Sequence, residues 1–184
     1  MRSAWTSQIK QTLVEALAIA LVWVFFFRLN LFVFAHFEFN SRVYWLFLPA
    51  GIRMMAVFIF GWKGVWGLFI GSTYTNEAET DAYVLGLSAI SALSPMLALL
   101  LCRWFYNLAS TLKGLKAKQL LVFTLIGGLV NSLLSQLYFY ATSTDKVFFG
   151  FVPMFVGDVL GTLLFFYMVA KLLEFLSAYH KVHG

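Results

Sequence analysis

Apolar residues occur along this chain in long runs, and polar residues are confined to short segments between them. The runs cover residues 12–35, 43–61, 64–74, 82–108, 119–141 and 147–176. Because a helix needs about 20 apolar residues to cross the hydrocarbon of a bilayer, the long runs predict membrane-spanning helices. The third run is short for a full crossing, so it is either a short span or a re-entrant segment buried in protein.

No low-complexity stretch or Pro/Gly-rich linker divides these runs. The pattern therefore predicts one domain over residues 1–184, folded as a compact all-α bundle of about six transmembrane helices. The first run is longer than the ~7–15 apolar residues of a secretory signal, and no convincing cleavage pattern follows it. We expect it to be retained as the first helix.

The composition excludes several broad classes of protein. Of the 184 residues, 61% are hydrophobic and 11% are charged, whereas a soluble domain averages about 25% charged residues. A water-soluble or disordered chain is therefore excluded, and six spans leave almost no room for a soluble catalytic domain. The single cysteine, Cys102, cannot form an internal disulfide.

Lysine and arginine residues set the expected orientation, because those close to a span are retained on the cytoplasmic side. With a cytoplasmic N-terminus and six crossings, the cytoplasmic segments hold Arg2, Lys10, Lys63, Lys113, Lys116, Lys118 and Lys181. The external loops hold Arg42 and Lys146 with most of the acids, namely Glu38, Glu77, Glu79, Asp81 and Asp145. Both termini are thus predicted to be cytoplasmic. A re-entrant third run would instead move the lysine cluster outside and break the rule.

The net charge of +5 does not require a nucleic-acid partner. Cations on cytoplasmic loops meet anionic lipid headgroups, so the expected partner of these charges is the lipid bilayer.

Three polar residues fall where a bilayer disfavours them. A charge at mid-membrane costs about 2.5–3.5 kcal/mol, so such residues usually pair or line a cavity. Arg53 lies near the middle of the second run, Asp158 near the middle of the sixth, and Asn131 at a comparable depth in the fifth. Equal depth and opposite charge predict a contact between Arg53 and Asp158. It either pins two helices together or forms the floor of a polar pocket open to the periplasm.

Proline and glycine residues surround these polar positions. Pro49 precedes Arg53 by one turn, with Gly51 between them, so a helix break there would direct the arginine. Two G-x-x-x-G spacings, which let helix backbones approach closely, are formed by Gly67 with Gly71 and by Gly157 with Gly161. Helix packing is the simplest interpretation of both.

The sequence contains no recognisable catalytic apparatus. It has no nucleophile–base pairing, no zinc-binding His-Glu-x-x-His, no phosphate loop and no dinucleotide fingerprint. The acids of the external loops could hold a hard cation, but dispersed groups of this kind are more often a solvated surface. We therefore expect a protein that is not an enzyme and has neither a metal site nor a cofactor.

Two segments resemble a known family, the membrane-associated sensor domains of bacteria of the MASE type, first class. The segment FLPAGIR (47–53), followed by Gly61 and GLFIG (67–71), is similar to the family's proline-alanine-glycine turn and its glycine-rich span. The segment GDVLGTLL (157–164) is similar to its final signature. The resemblance covers roughly residues 44–173. The matching positions are Pro49, Gly51, Arg53, Gly157, Asp158 and Gly161.

The resemblance implies a sensory module of the bacterial inner membrane. In the family, such domains precede a histidine kinase or a cyclic-di-GMP enzyme, and about eight spans are common. This chain has about six runs, and we expect no effector after the last one. We therefore expect a short stand-alone form that binds a small ligand or a partner helix near Arg53 and Asp158. It would pass its state to another membrane or signalling protein.

Two other functions fit the size and topology. One is the substrate-binding subunit of an energy-coupling-factor vitamin transporter, which docks through small residues of its first span. The candidates here, Ala16, Ala18 and Ala20, have an i, i+2 spacing that spreads them around a helix. The other function is an accessory subunit of a larger membrane complex.

Overall fold

The computed structural model describes residues 2–40, 43–76, 81–106, 116–142 and 150–183. Its helices are α1 (Arg2–Val33), α2 (Pro49–Phe60), α3 (Trp62–Thr75), α4 (Asp81–Tyr106), α5 (Ala117–Thr142) and α6 (Phe151–His183). Four of them, α1, α4, α5 and α6, are long and apolar enough to cross a membrane. The chain is thus an all-α bundle, as the apolar runs predict.

The helix of the second apolar run begins later than the run itself. Residues 43–48 are not helical: a short hairpin pairs β1 (Glu38–Asn40) with β2 (Val43–Tyr44), and α2 begins at Pro49. Proline is well suited to the first position of a helix, because its missing N–H has no helical partner there. Pro49 therefore starts α2 and does not break a longer helix.

The backbone ahead of α2 finds its hydrogen-bond partners in other helices. The Phe47 N–H donates to the carbonyl oxygen of Gly157 at 3.0 Å, and the Leu48 N–H donates to Asn30 Oδ1 at 2.8 Å. Unpaired backbone groups are costly in hydrocarbon. These two bonds allow an extended segment to lie between α1 and α6.

The helices α2 and α3 form a hairpin that turns at Gly61, whose φ is 56°, a conformation that favours glycine. At the start of this hairpin Leu48 contacts Asn30, and just after its turn Lys63 contacts Glu15. These partners are 15 residues apart on α1, or about 22 Å. The hairpin thus runs back along α1 and returns beside it.

The two ends of the bundle can now be distinguished. We call the end where α1 begins the near end and the opposite end, where α1 stops, the far end. Gly67 packs against Ala16 and Ile19, and Gly71 packs against Ala20 and Trp23, so α3 runs parallel to α1. At both glycines an added Cβ would overlap α1, as expected for a close-packing motif.

The second glycine pair packs against a strand-like segment instead of a helix. Gly157 lies against the carbonyl oxygen of Tyr44, and Gly161 lies against that of Phe47. One turn further along α6, Phe165 lies against Gly51. In these three contacts the residue numbers of the two partners differ by a constant 113–114. The contacts therefore advance in the same direction on both segments, and α6 runs parallel to α2. Hence α6 ends at the near end, where α1 begins.

The main apolar core fills the middle and the near half of the bundle. It includes Met54, Val57, Leu68, Leu99 and Phe123, which come from α2, α3, α4 and α5. A smaller cluster of Leu48, Ile52 and Phe165 joins α2 to α6. Closer to the far end the interior becomes polar.

Candidate functional site: a polar cavity above a buried ion pair

Three predicted polar residues meet inside the bundle. Arg53 Nη2 donates to Asp158 Oδ1 at 2.6 Å, and Asn131 Nδ2 donates to Asp158 Oδ2 at 2.7 Å. Side chains of the ion pair are 6% and 4% exposed. The contact expected between Arg53 and Asp158 is therefore present, and it links α2, α5 and α6.

The two partners occupy different positions along their helices. Arg53 is the fifth of the 12 residues of α2, close to its middle, and Asp158 is the eighth of the 33 residues of α6, in its first third. Because α6 runs parallel to α2 with Phe165 beside Gly51, Asp158 lies on the far-end side of Arg53. Helical side chains point towards their helix N-terminus, so the long side chain of Arg53 extends towards Asp158.

Two aromatic rings lie close to the guanidinium of Arg53. Its Cζ lies 5.5 Å from the ring centre of Phe47 and 6.0 Å from that of Trp23. Cation–π contacts of this kind contribute about 0.5–2 kcal/mol each. Together with Asp158 they offset the cost of burying the charge.

A cavity of about 110 Å³ lies directly above this cluster, on the far-end side. Its floor is formed by Arg53, Asp158 and Asn131. Polar side chains on its wall are Ser72, Thr75, Asn76, Ser91 and Ser135, and apolar or aromatic ones are Trp23, Phe27, Tyr44, Phe47, Leu87, Phe139 and Met154. We call this space the far-end cavity. It is large enough for several waters or one small polar molecule.

A second and much smaller space lies on the other side of the ion pair. It measures about 10 Å³ and is bordered by Arg53, Asn131 and Asp158 together with Ser94, Pro95, Gly127, Gly128 and Thr162. Such a space has room for at most one water. The ion pair therefore separates the far-end cavity from the closed core beneath it.

The cavity offers unused hydrogen-bonding groups to a ligand. In the described part of the chain, Asn131 Oδ1 is buried without a hydrogen-bond partner, and Asp158 is the one hydrogen-bond acceptor found for Arg53. Pro95 has no N–H, so the carbonyl of Ser91, one turn earlier, lacks its usual helical donor. A ligand in the cavity would meet the guanidinium of Arg53 and the wall hydroxyls in one space.

The proline and glycine residues predicted for the site lie at a helix start or at close contacts between segments. Pro49 starts α2, and Gly51 lets Phe165 approach its backbone. Gly67, Gly71, Gly157 and Gly161 all stand at close contacts, as described above. Among the described residues, no group of three His, Cys, Asp or Glu side chains is placed to hold a metal ion. Glu77, Glu79 and Asp145 lie outside the described residues.

Sequence reasoning missed three residues of the site. Trp23 and Phe47 form its aromatic wall, and Asn30 holds the segment that leads into α2. Trp23 carried one signal, since it alone among the six tryptophans lies in the middle of a predicted span. Phe47 and Asn30 carried no comparable signal.

Comparisons with known proteins give no relative for this chain. No family model matches the sequence, and neither a curated protein nor a solved structure does. The resemblance to the MASE-type sensor domains therefore stays a prediction.

Proposed function

We propose that this chain is a sensory module of the bacterial inner membrane that binds a small polar molecule in the far-end cavity. The observation that carries the proposal is the cavity itself. A buried ion pair and the Asn131 side chain form its floor, and hydroxyls and aromatic rings form its wall. Buried polar residues in spans commonly mark such sites.

We further propose that all six helices cross the membrane, with both termini in the cytoplasm. The α2–α3 hairpin extends along about 22 Å of α1 between Asn30 and Glu15, which is most of the ~30 Å hydrocarbon thickness. The described cations of the near end are Lys10, Lys63, Arg103, Lys116, Lys118 and Lys171. This concentration of lysine and arginine residues supports a cytoplasmic near end. The far-end cavity would then open to the periplasm.

The ion pair provides a route from the cavity to the helices. A ligand that hydrogen-bonds to the free guanidinium donors of Arg53 would compete with Asp158, which ties α2 to α6. Binding would then favour one packing of α6 against α2 over another, and the ligand's differential affinity would set the extent of the shift. Because α6 ends at the near end, a partner protein there could read the change.

The substrate-binding subunit of a vitamin transporter would also need an outward-facing site. Two of the three small residues expected at its docking surface, Ala16 and Ala20, are buried against Gly67 and Gly71 of α3, and only Ala18 is exposed. This packing favours the sensory function over the transporter subunit.

Native mass spectrometry of the gently extracted protein tests the proposal. The wild-type chain should carry one small molecule. Ser91→Phe, which places a ring in the cavity wall without touching the ion pair, should lose it. Ser177→Phe makes the same change at an exposed position of α6 and should keep it. An empty wild-type chain, or a ligand that survives Ser91→Phe, would contradict binding in this cavity.

A further inference from the structure

A second cavity lies on the outside of the bundle, in its near half, and it differs from the first in character. It is a groove of about 380 Å³ between α1 and α2, and Phe165 of α6 contributes to its floor. We call it the α1–α2 groove. Its lining is apolar except for Glu15.

The groove follows one face of α1. Val14, Ala18 and Val22 are four residues apart, so they form a single row along the helix. Their spacing gives the groove a length of about 12 Å. Val14 and Val22 are well exposed, and on the opposite wall Ile59 and Phe60 are also partly open. The groove therefore faces the surroundings of the bundle over its whole length.

The apolar lining of the groove fits a hydrocarbon chain. Ten of its eleven lining residues are apolar, and a hydrocarbon chain has no polar groups to satisfy. Such a chain is also much thinner than an α-helix, which with its side chains is about 10–12 Å wide, so a groove between two neighbouring helices can hold it along its length.

Charged groups stand at the near-end mouth of the groove. The Glu15 carboxylate accepts hydrogen bonds from Lys63 Nζ at 2.7 Å and from Gln11 Nε2 at 2.9 Å. The Lys63 side chain is 38% exposed. Lys10 continues the row of Val14 and Ala18 by one turn, and its side chain is exposed. Two lysines against one glutamate leave this mouth with a net positive charge.

From this arrangement we infer that the α1–α2 groove binds one acyl chain of a phospholipid, whose phosphate lies between Lys10 and Lys63. The apolar row of α1 and the wall of α2 hold the chain at hydrocarbon depth. The lysines lie where the headgroups of the near-end leaflet begin, and anionic headgroups are attracted to such cations. The site shares no residue with the far-end cavity, so it stands independently of the proposed sensory function.

Native mass spectrometry in the presence of dioleoyl phosphatidylglycerol tests this inference. The wild-type chain should retain one lipid after detergent exchange. Ala18→Phe fills the groove and should lower the retained fraction by about tenfold, which corresponds to about 1.4 kcal/mol. Ala170→Phe makes the matched change at an exposed position of α6 outside the groove and should retain the lipid as the wild type does.

Further variants separate the headgroup from the chain and guard against misfolding. Lys10→Gln should weaken retention, whereas the matched Lys118→Gln should not. If Ala18→Phe fails to fold, Val22→Phe fills the other end of the groove and replaces it. Equal lipid retention by all variants, or several loosely held lipids on the wild type, would overturn the inference, because both results indicate general contact with the bilayer.

Discussion

Removing one partner of the Arg53–Asp158 pair should destabilise the protein strongly, while removing both charges should cost clearly less than the sum of the two single changes. Removing one partner of a buried ion pair leaves the other charge buried without a partner, which typically lowers the free energy of unfolding by about 3–5 kcal/mol. Here the guanidinium borders the far-end cavity, where water can reach it, and two aromatic rings lie near it. We therefore expect a cost of about 3 kcal/mol for Arg53→Met, at the lower end of that range.

The choice of variants follows from the register of the helices. Exchanging the two charges is a poor test, because an arginine at position 158 would point towards the far end, away from position 53. The pair Arg53→Met and Asp158→Asn removes both charges and keeps an acceptor for Asn131 Nδ2. The double variant should cost at least about 2 kcal/mol less than the sum of the two single variants.

Thermal unfolding in detergent, followed by circular dichroism, measures these costs. For a chain of this length 1 kcal/mol corresponds to about 2–4 °C, so Arg53→Met should lower the Tm by about 6–12 °C. The outcome that refutes the reasoning is additivity. If the costs of the single variants sum to that of the double within about 0.5 kcal/mol, the two charges do not stabilise each other.

Two further predictions concern packing and surface charge, and both are read from the Tm. Gly161→Ala should cost about 1–3 kcal/mol, because its new Cβ overlaps the Phe47 carbonyl; an effect as small as that of the exposed Ser177→Ala would contradict this close approach. Lys63→Met should cost less than about 1 kcal/mol, because its ion pair with Glu15 is partly exposed. A larger loss would mean that this pair holds the α2–α3 hairpin in place.

The sequence predicts the long helices well because their apolar runs are continuous. The helices α1, α4, α5 and α6 all fall on predicted runs, although α1 and α6 extend well beyond them at the near end. Residues 43–48 were assigned to a span because they are apolar. Their backbone partners, Asn30 and Gly157, come from distant helices, and hydrophobic periodicity cannot reveal such bonds.

The charged and polar residues at the floor of the site were predictable from the sequence, whereas the aromatic residues of its wall were not. The floor residues stand out because a bilayer disfavours polar groups. The free-energy cost of leaving such groups unpaired in hydrocarbon favours contacts among Arg53, Asp158 and Asn131. Trp23 and Phe47 are apolar residues among many, so their role depends on how α1 and the segment before α2 pack around the guanidinium. Composition carries no information about such packing.

The central claim is that the far-end cavity contains water and opens on the side opposite the chain termini. Cysteine labelling of Ser91→Cys tests it most directly, in a Cys102→Ala background that removes the buried native thiol. In sealed right-side-out vesicles a membrane-impermeant maleimide should label position 91 from outside. Labelling that requires detergent, or that occurs only in inverted vesicles, would contradict an outward-facing cavity.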